Sequence, residues 1–148
     1  LDRYPYSNKN LLKRKAFFEK PSITVSGKRM SFNDLEHGII RQDFKEPRIH
    51  MALNCASVSC PPLLDRAYDA QTLDADLSKQ TRAFVNDNPL GVSLSSDGKT
   101  ASISAIFGWF EEDFGDVRAF INQYRDDDLG PDVKIKYQKY DWNRNEAD

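Results

Sequence analysis

Two thiols, two imidazoles and one asparagine carry the chemistry open to this chain. Cys55 and Cys60 are its only cysteines, and His37 and His50 its only histidines. His50, Asn54, Cys55 and Cys60 fall together in HMALNCASVSCPPLL, which ends on the Pro61-Pro62 step. A thiol becomes a nucleophile when a base, a cation or a helix N-terminus makes it a thiolate, and a third group must hold the base. His37 and His50 are the candidate bases. Glu36, Asn54, Ser57 and Ser59 can orient or donate. On the residues alone, three uses of the cysteines stay open: nucleophile, short disulfide loop, or two inert packed thiols. A bridge over so short a loop stabilises modestly. The His and Cys spacing matches no common zinc pattern, so no metal is assigned. With no Gly-rich phosphate loop, no cofactor is implied either.

What these side chains meet depends on the backbone that carries them. Arg48 to Leu53 reads as a strand, with Ile49, Met51 and Leu53 on one face and His50, Ala52 and Asn54 on the other. His50 and Cys55 would then face opposite sides, five being an odd step. They meet only if the chain bends near Asn54. Pro61 suits the first turn of a helix. A helix starting there would place Cys60 at its N-terminus, where the dipole lowers a thiol pKa. Upstream, Ser31 is the expected N-cap of the helix FNDLEHGIIR, with Asp34 at the third helical position. Phe32, Leu35 and Ile39 form its apolar stripe. Glu36 lands beside that stripe and His37 points off it. A carboxylate against an apolar face snorkels, pairs with an arginine, or serves the site.

The remaining elements frame these. Asn10 to Glu19 reads as a short helix ended by Pro21, and ITVSGKRMSF as a hairpin turning at Gly27. Thr72 is the expected cap of LDADLSKQTRAFVND, whose stripe is formed by Leu73, Leu77, the Gln80/Thr81 turn and Phe84. VSLSSDGKTASIS reads as a hairpin around Asp97-Gly98. Ser104 is placed to cap AIFGWFEEDF, and Asp116 to cap VRAFINQY. Trp109, Phe110 and Phe114 read as core ahead of a ligand box, and VKIKY is a last strand. Helices alternate irregularly with hairpins, which points to an α+β fold: a small antiparallel sheet with hairpins, packed against several helices.

At 148 residues, the chain reads as one domain, 1–148, large enough to bury a real core. Its net charge of −2 leaves no electrostatic footprint for nucleic acid. The acidic runs Glu111–Asp113 and Asp126–Asp128 read as solvated surface. No window approaches the roughly 18 apolar residues of a membrane span, and no signal peptide or lipidation motif is visible.

SFNDLEHGIIR, then PRIHMALNCASVSCPPLL, then ISAIFGWFEEDF and finally YDWNRN follow one another in order along the chain. In these motifs, over about Ile23 to Asn145, the chain resembles the domain-of-unknown-function family numbered 547. The resemblance implies a cysteine-peptidase-like or transglutaminase-like α+β fold, and an exported setting, periplasmic or extracellular. It places Glu36-His37 and His50…Cys55 at characteristic positions. It makes Cys55 the functional thiol and Cys60 its accessory, because some relatives carry serine at the latter. The family's Trp-x-Asn-x-Tyr-Asn-Ala type opening is not found here, so a front segment is expected to be removed or to lie on another chain. Two functions are weighed on this basis. One is a thiol-dependent hydrolase or acyl transferase, in which Cys55 attacks an amide or thioester, His37 or His50 takes its proton, and Glu36 or Asn54 orients the imidazole. The other is a non-catalytic module for a peptide or small thiol ligand such as glutathione. A plainer alternative is an interaction domain with a purely structural Cys55–Cys60 disulfide.

Overall fold

The computed structural model describes residues 11–145, and they form an α+β fold with two small sheets. Its described residues divide into two compact units: 11–46, 56–58 and 141–145 in the first, 47–55 and 59–140 in the second.

The first unit is built from local signals. Helix α1 spans Leu11–Glu19; Asn10, its expected first residue, lies outside the described residues. The rings of Phe17 and Phe18 pack on Phe32, with centroids 5.5 and 6.3 Å away. Strands β1 (Ile23–Val25) and β2 (Lys28–Met30) pair antiparallel, Ile23 opposite Met30. Their two-residue turn places both Ser26 (φ 48°) and Gly27 (φ 78°) in the left-handed region, the geometry that twists with a hairpin. Ser31 then caps α2 (Phe32–Leu35) through a full capping box: its side chain accepts from the Asp34 amide, and its own amide donates to the Asp34 carboxylate. The expected ten-residue α-helix stops at Leu35 and continues as a π-helix over Glu36–Phe44. An i→i+5 ladder turns less per residue than an α-helix, so the face assignment of Glu36 and His37 made at 3.6 residues per turn does not carry into it. Lys45, at φ 50°, ends the segment. Residues 56–58 join this unit by pairing with 143–145: Ser57 bridges Arg144, the Val58 amide donates to Asn143, and the Asn145 amide donates to Ala56.

The second unit opens with a departure from expectation. Pro47–Met51 is a 3-10 helix, not a strand. Pro47 lacks an N–H and has a φ preset for a first helical turn. The Ala52 and Leu53 amides both donate to the Ile49 carbonyl and close the turn. Ile49, His50 and Met51 are all buried, so the apolar alternation did not mark two faces of a sheet. Arg48 fixes this helix to α3 (Leu73–Asn86) by donating to Ser78 Oγ at 2.7 Å and to the Asp74 carboxylate at 2.8 Å.

Leu77, Thr81, Phe84 and Val85 form the buried stripe of α3, whereas Leu73 is exposed. Thr72 precedes the helix without capping its backbone; its hydroxyl donates to Asp76 instead. The second hairpin pairs β3 (Val92–Leu94) with β4 (Thr100–Ile103) around Gly98, whose φ is +68°. Strand β5 (Lys134–Tyr137) joins β4 in parallel, Ile103 beside Tyr137. The sheet is therefore mixed, where an antiparallel one was expected. The β4–β5 connection holds three helices and is long enough for the crossover that a parallel pair requires. The expected single helix after Ser104 breaks at Phe110 (φ −120°, ψ 28°) into α4 (Ala105–Trp109) and α5 (Glu111–Phe114). Helix α6 (Val117–Asn122) follows, and Asp116 accepts from the Ala119 amide as its cap. Phe84, Phe107, Met51, Ile103 and Ile121 are fully buried in this unit.

Candidate functional site

Cys55 and Cys60 are bonded to each other, with Cα atoms 6.2 Å apart. No helix starts at Pro61: residues 61–64 are irregular, so the helix-dipole argument for Cys60 falls. The carbonyls of Pro61 and Pro62 are instead taken up by side chains. Asn54 Nδ2 donates to Pro61 at 2.7 Å, and Gln80 Nε2 donates to Pro62 at 2.9 Å. Asn54, expected to orient an imidazole, thus holds the backbone beyond Cys60.

The two sulfurs differ in their surroundings. Cys60 is 8% exposed, whereas Cys55 is half-buried. The Cys55 amide donates to Cys60 Sγ at 2.9 Å. The Tyr140 hydroxyl lies 3.3 Å from Cys60 Sγ and 3.4 Å from Cys55 Sγ. Tyr140 follows β5, and its ring sits 4.7 Å from that of Trp109 at the end of α4. Tyr140 is buried but Trp109 is 48% exposed, which corrects the expectation of a core tryptophan.

His50 is buried on the 3-10 helix, with its Nε2 2.7 Å from Asp113 Oδ2. An ionised carboxylate only accepts, so Nε2 carries the hydrogen of this bond. The Phe110 ring stacks on the imidazole at 4.0 Å and 15°, and Phe114 flanks it at 5.3 Å. The break between α4 and α5 makes this possible, because it points Phe110 and Asp113 at the same ring. Asp113 had read as solvated surface within its acidic run; its carboxylate is three-quarters covered. No strand separates His50 from Cys55, so the odd-step argument for opposite faces lapses with the strand.

Glu36 and His37 belong to the first unit. Arg41 Nη1 lies 3.2 Å from His37 Nδ1. Arginine has no acceptor, so Nδ1 presents its lone pair there. The Glu36 carboxylate is 4.0 Å from the same nitrogen. A π-helix this long is rare, and π segments are frequent at functional sites.

Asp113, Tyr140, Trp109 and Phe110 are the site groups that residue reasoning missed. Tyr140 lay inside the YDWNRN motif, whose aromatic and polar residues fit neither a strand nor a helix pattern. That misfit was the available signal. Asp113 gave none.

A family model described as "Protein of unknown function, DUF547" matches residues 3–85. The match takes in Glu36, His37, His50, Asn54, Cys55 and Cys60 and ends within α3. It starts before Ile23 and stops well short of Asn145, the bounds suggested by the motifs. No curated protein and no solved structure matches the chain. With more than half its length matched, the chain belongs to the DUF547 family of proteins of unknown function.

Proposed function

We propose that this is a thiol-dependent module that takes up a small thiol, or the cysteine of a peptide, on Cys55 by thiol–disulfide exchange. One observation carries the reading: two donors, the Cys55 amide and the Tyr140 hydroxyl, converge on Cys60 Sγ. An incoming thiolate attacks the sulfur of Cys55, the less buried of the two residues. Its sulfur bonds to Cys55 Sγ as the Cys55–Cys60 bond breaks, and the electron pair leaves on Cys60 as a thiolate. Leaving-group stability sets the rate of such exchange, and hydrogen bonds to a charged acceptor are the strong ones. The bridge itself favours an oxidising compartment, which supports the exported setting.

The reading is tested with the Cys60→Ser variant, reduced and exposed to oxidised glutathione. A stable adduct localised to Cys55 by mass spectrometry is the expected outcome. A wild-type bridge that stays closed in millimolar reduced glutathione, with no adduct on the variant, would leave a purely structural disulfide.

The His50–Asp113 pair favours a second reading, a cysteine hydrolase or acyl transferase. Once the bridge is reduced by an external thiol, Cys55 attacks an amide or thioester carbonyl. The amine or thiol leaves with a proton from His50, which Asp113 orients, and water or a second acceptor then takes the acyl group from Cys55. Turnover of a thioester by reduced protein, lost in Cys55→Ala and in His50→Ala, is its test.

A further inference from the structure

The disulfide is not the only link that brings its two cysteines together. The arm leading into Cys55 is tied to the 3-10 helix, where the Ala52 and Leu53 amides both donate to the Ile49 carbonyl at 2.9 Å. That helix hangs on α3 through Arg48, which donates to Ser78 and Asp74. The arm leaving Cys60 hangs on the same helix, because Gln80 donates from its side chain to the Pro62 carbonyl. Asn54 then closes the loop directly, its Nδ2 donating to the Pro61 carbonyl at 2.7 Å. Asn54 and Pro61 are the residues just outside the two cysteines, so this hydrogen bond spans the same loop as the disulfide and runs parallel to it. None of these contacts uses sulfur, and none depends on the S–S bond for its donor or acceptor.

A frame of this kind decides what an incoming thiol can achieve. With a thiol bonded to Cys55, Cys60 is the competing nucleophile. A group tethered by a short flexible link is present at its target at about millimolar effective concentration, and fixed orientation raises that by orders of magnitude. A single thiol is therefore expelled: Cys60 attacks Cys55 Sγ, the bridge closes, and the thiol leaves with the electron pair. A partner with a second thiol has another exit. That second thiolate attacks the partner's own sulfur in the mixed disulfide. The partner's disulfide forms, the bond to Cys55 breaks, and the electron pair leaves on Cys55. Two electrons pass from partner to bridge, and the partner's two thiol protons end on Cys55 and Cys60.

We infer that the substrate of this site is a dithiol, a peptide or protein segment with two cysteines close enough to bond, which the Cys55–Cys60 bridge oxidises. Asn54 and Gln80 are positioning residues that keep Cys60 at hand to reject single thiols. This rests on the exchange reading above and specifies its substrate class. Glutathione is then a transient occupant, held on Cys55 only where Cys60 is absent.

The experiment gives the bridged full chain two peptides at equal, sub-millimolar thiol concentration: one with two nearby cysteines, and its twin with the second replaced by serine. Acid quenching, alkylation and intact mass read the bridge, the mixed disulfide and the oxidised peptide. The two-cysteine peptide is expected to be oxidised one for one with loss of the bridge, while the twin leaves the bridge closed. Reduced protein mixed with oxidised glutathione reads the frame itself. The Cys55 adduct should give way to the bridge, and Asn54→Ala and Gln80→Ala should each slow that step by about two- to tenfold, the range of one neutral hydrogen bond. A merely structural role would lower stability in urea melts without slowing this step. If Asn54→Ala does not fold, Gln80→Ala and the peptide pair on wild type still decide. A twin adduct that accumulates on wild type, a two-cysteine peptide left reduced, or closure unchanged in the variants overturns the dithiol reading while leaving exchange intact. Failure of Cys60→Ser to take up glutathione removes the exchange reading and this one with it.

Discussion

Tyr140→Phe removes one hydroxyl and leaves the ring that packs on Trp109. In the bridged protein that hydroxyl faces two neutral sulfurs at 3.3 and 3.4 Å, weak acceptors whose loss costs about 0.5 kcal/mol or less. On opening, the same hydroxyl faces a buried thiolate, and a hydrogen bond to a charged group contributes about 1.5–3 kcal/mol. The difference, taken at the low end because sulfur contacts are long, is about 1–2 kcal/mol in favour of the open form. For a two-electron couple this is about 20–40 mV. Tyr140→Phe should therefore make the bridge harder to reduce, its potential falling by that amount. The potential is measured by equilibration in dithiothreitol buffers, alkylation and mass spectrometry. The shift should be largest above about pH 8.5, where the thiolate is populated, and should fade at lower pH. A merely structural tyrosine would lower the melting temperature without this pH signature. A variant within about 5 mV of wild type across the range would refute the role given to the hydroxyl.

Three further outcomes follow from the packing and electrostatics. Gly91→Ala drives a methyl group into the Phe84 carbonyl of α3; since backbone cannot yield as a side chain does, urea melts should show a loss of about 3 kcal/mol or more. Asp113→Ala leaves the buried His50 Nε2 without its acceptor, which should cost about 1–3 kcal/mol in the same assay, while Asp113→Asn recovers part of it. The Asp76 carboxyl is held below its ordinary 3.8 by the Thr72 hydroxyl and by Arg66, and Asp34 is held low by the Ser31 amide and hydroxyl. In the unfolded chain both bind protons at higher pH than in the folded one, so their stabilisation is complete above about pH 4 and is lost as pH falls through the folded values. Melting temperature should fall on acidification through that window, less steeply in Asp76→Asn.

Features set within a few residues were legible in the sequence. The Ser31 and Asp116 caps and the turns at Gly27 and Gly98 follow from side chain-to-backbone geometry that no tertiary contact overrides. Arg48–Leu53 misled because its apolar alternation suits either a strand or a tight helix buried on all sides; only packing against α3 decides between them. Cysteine spacing left the bridge open, as it must when a free pair and a disulfide pair look alike. The site partners were hidden by distance: Asp113 lies 63 residues from His50, and Tyr140 lies 80 from Cys60. An aspartate in an acidic run is read as solvated until a fold brings it to an imidazole. The break at Phe110 that re-aims Asp113 has no proline or glycine of its own to announce it.

That separation along the chain also has a consequence in time. Cys55 and Cys60 emerge together, and closing the short loop between them is a fast, local event, whereas forming the bond takes seconds to hours. The hydroxyl that serves them arrives only when β5 has docked in parallel on β4, after three intervening helices have folded. Non-local parallel pairing of this kind is slow. Until that pairing forms, the two cysteines lack the hydroxyl contact that the folded unit gives them.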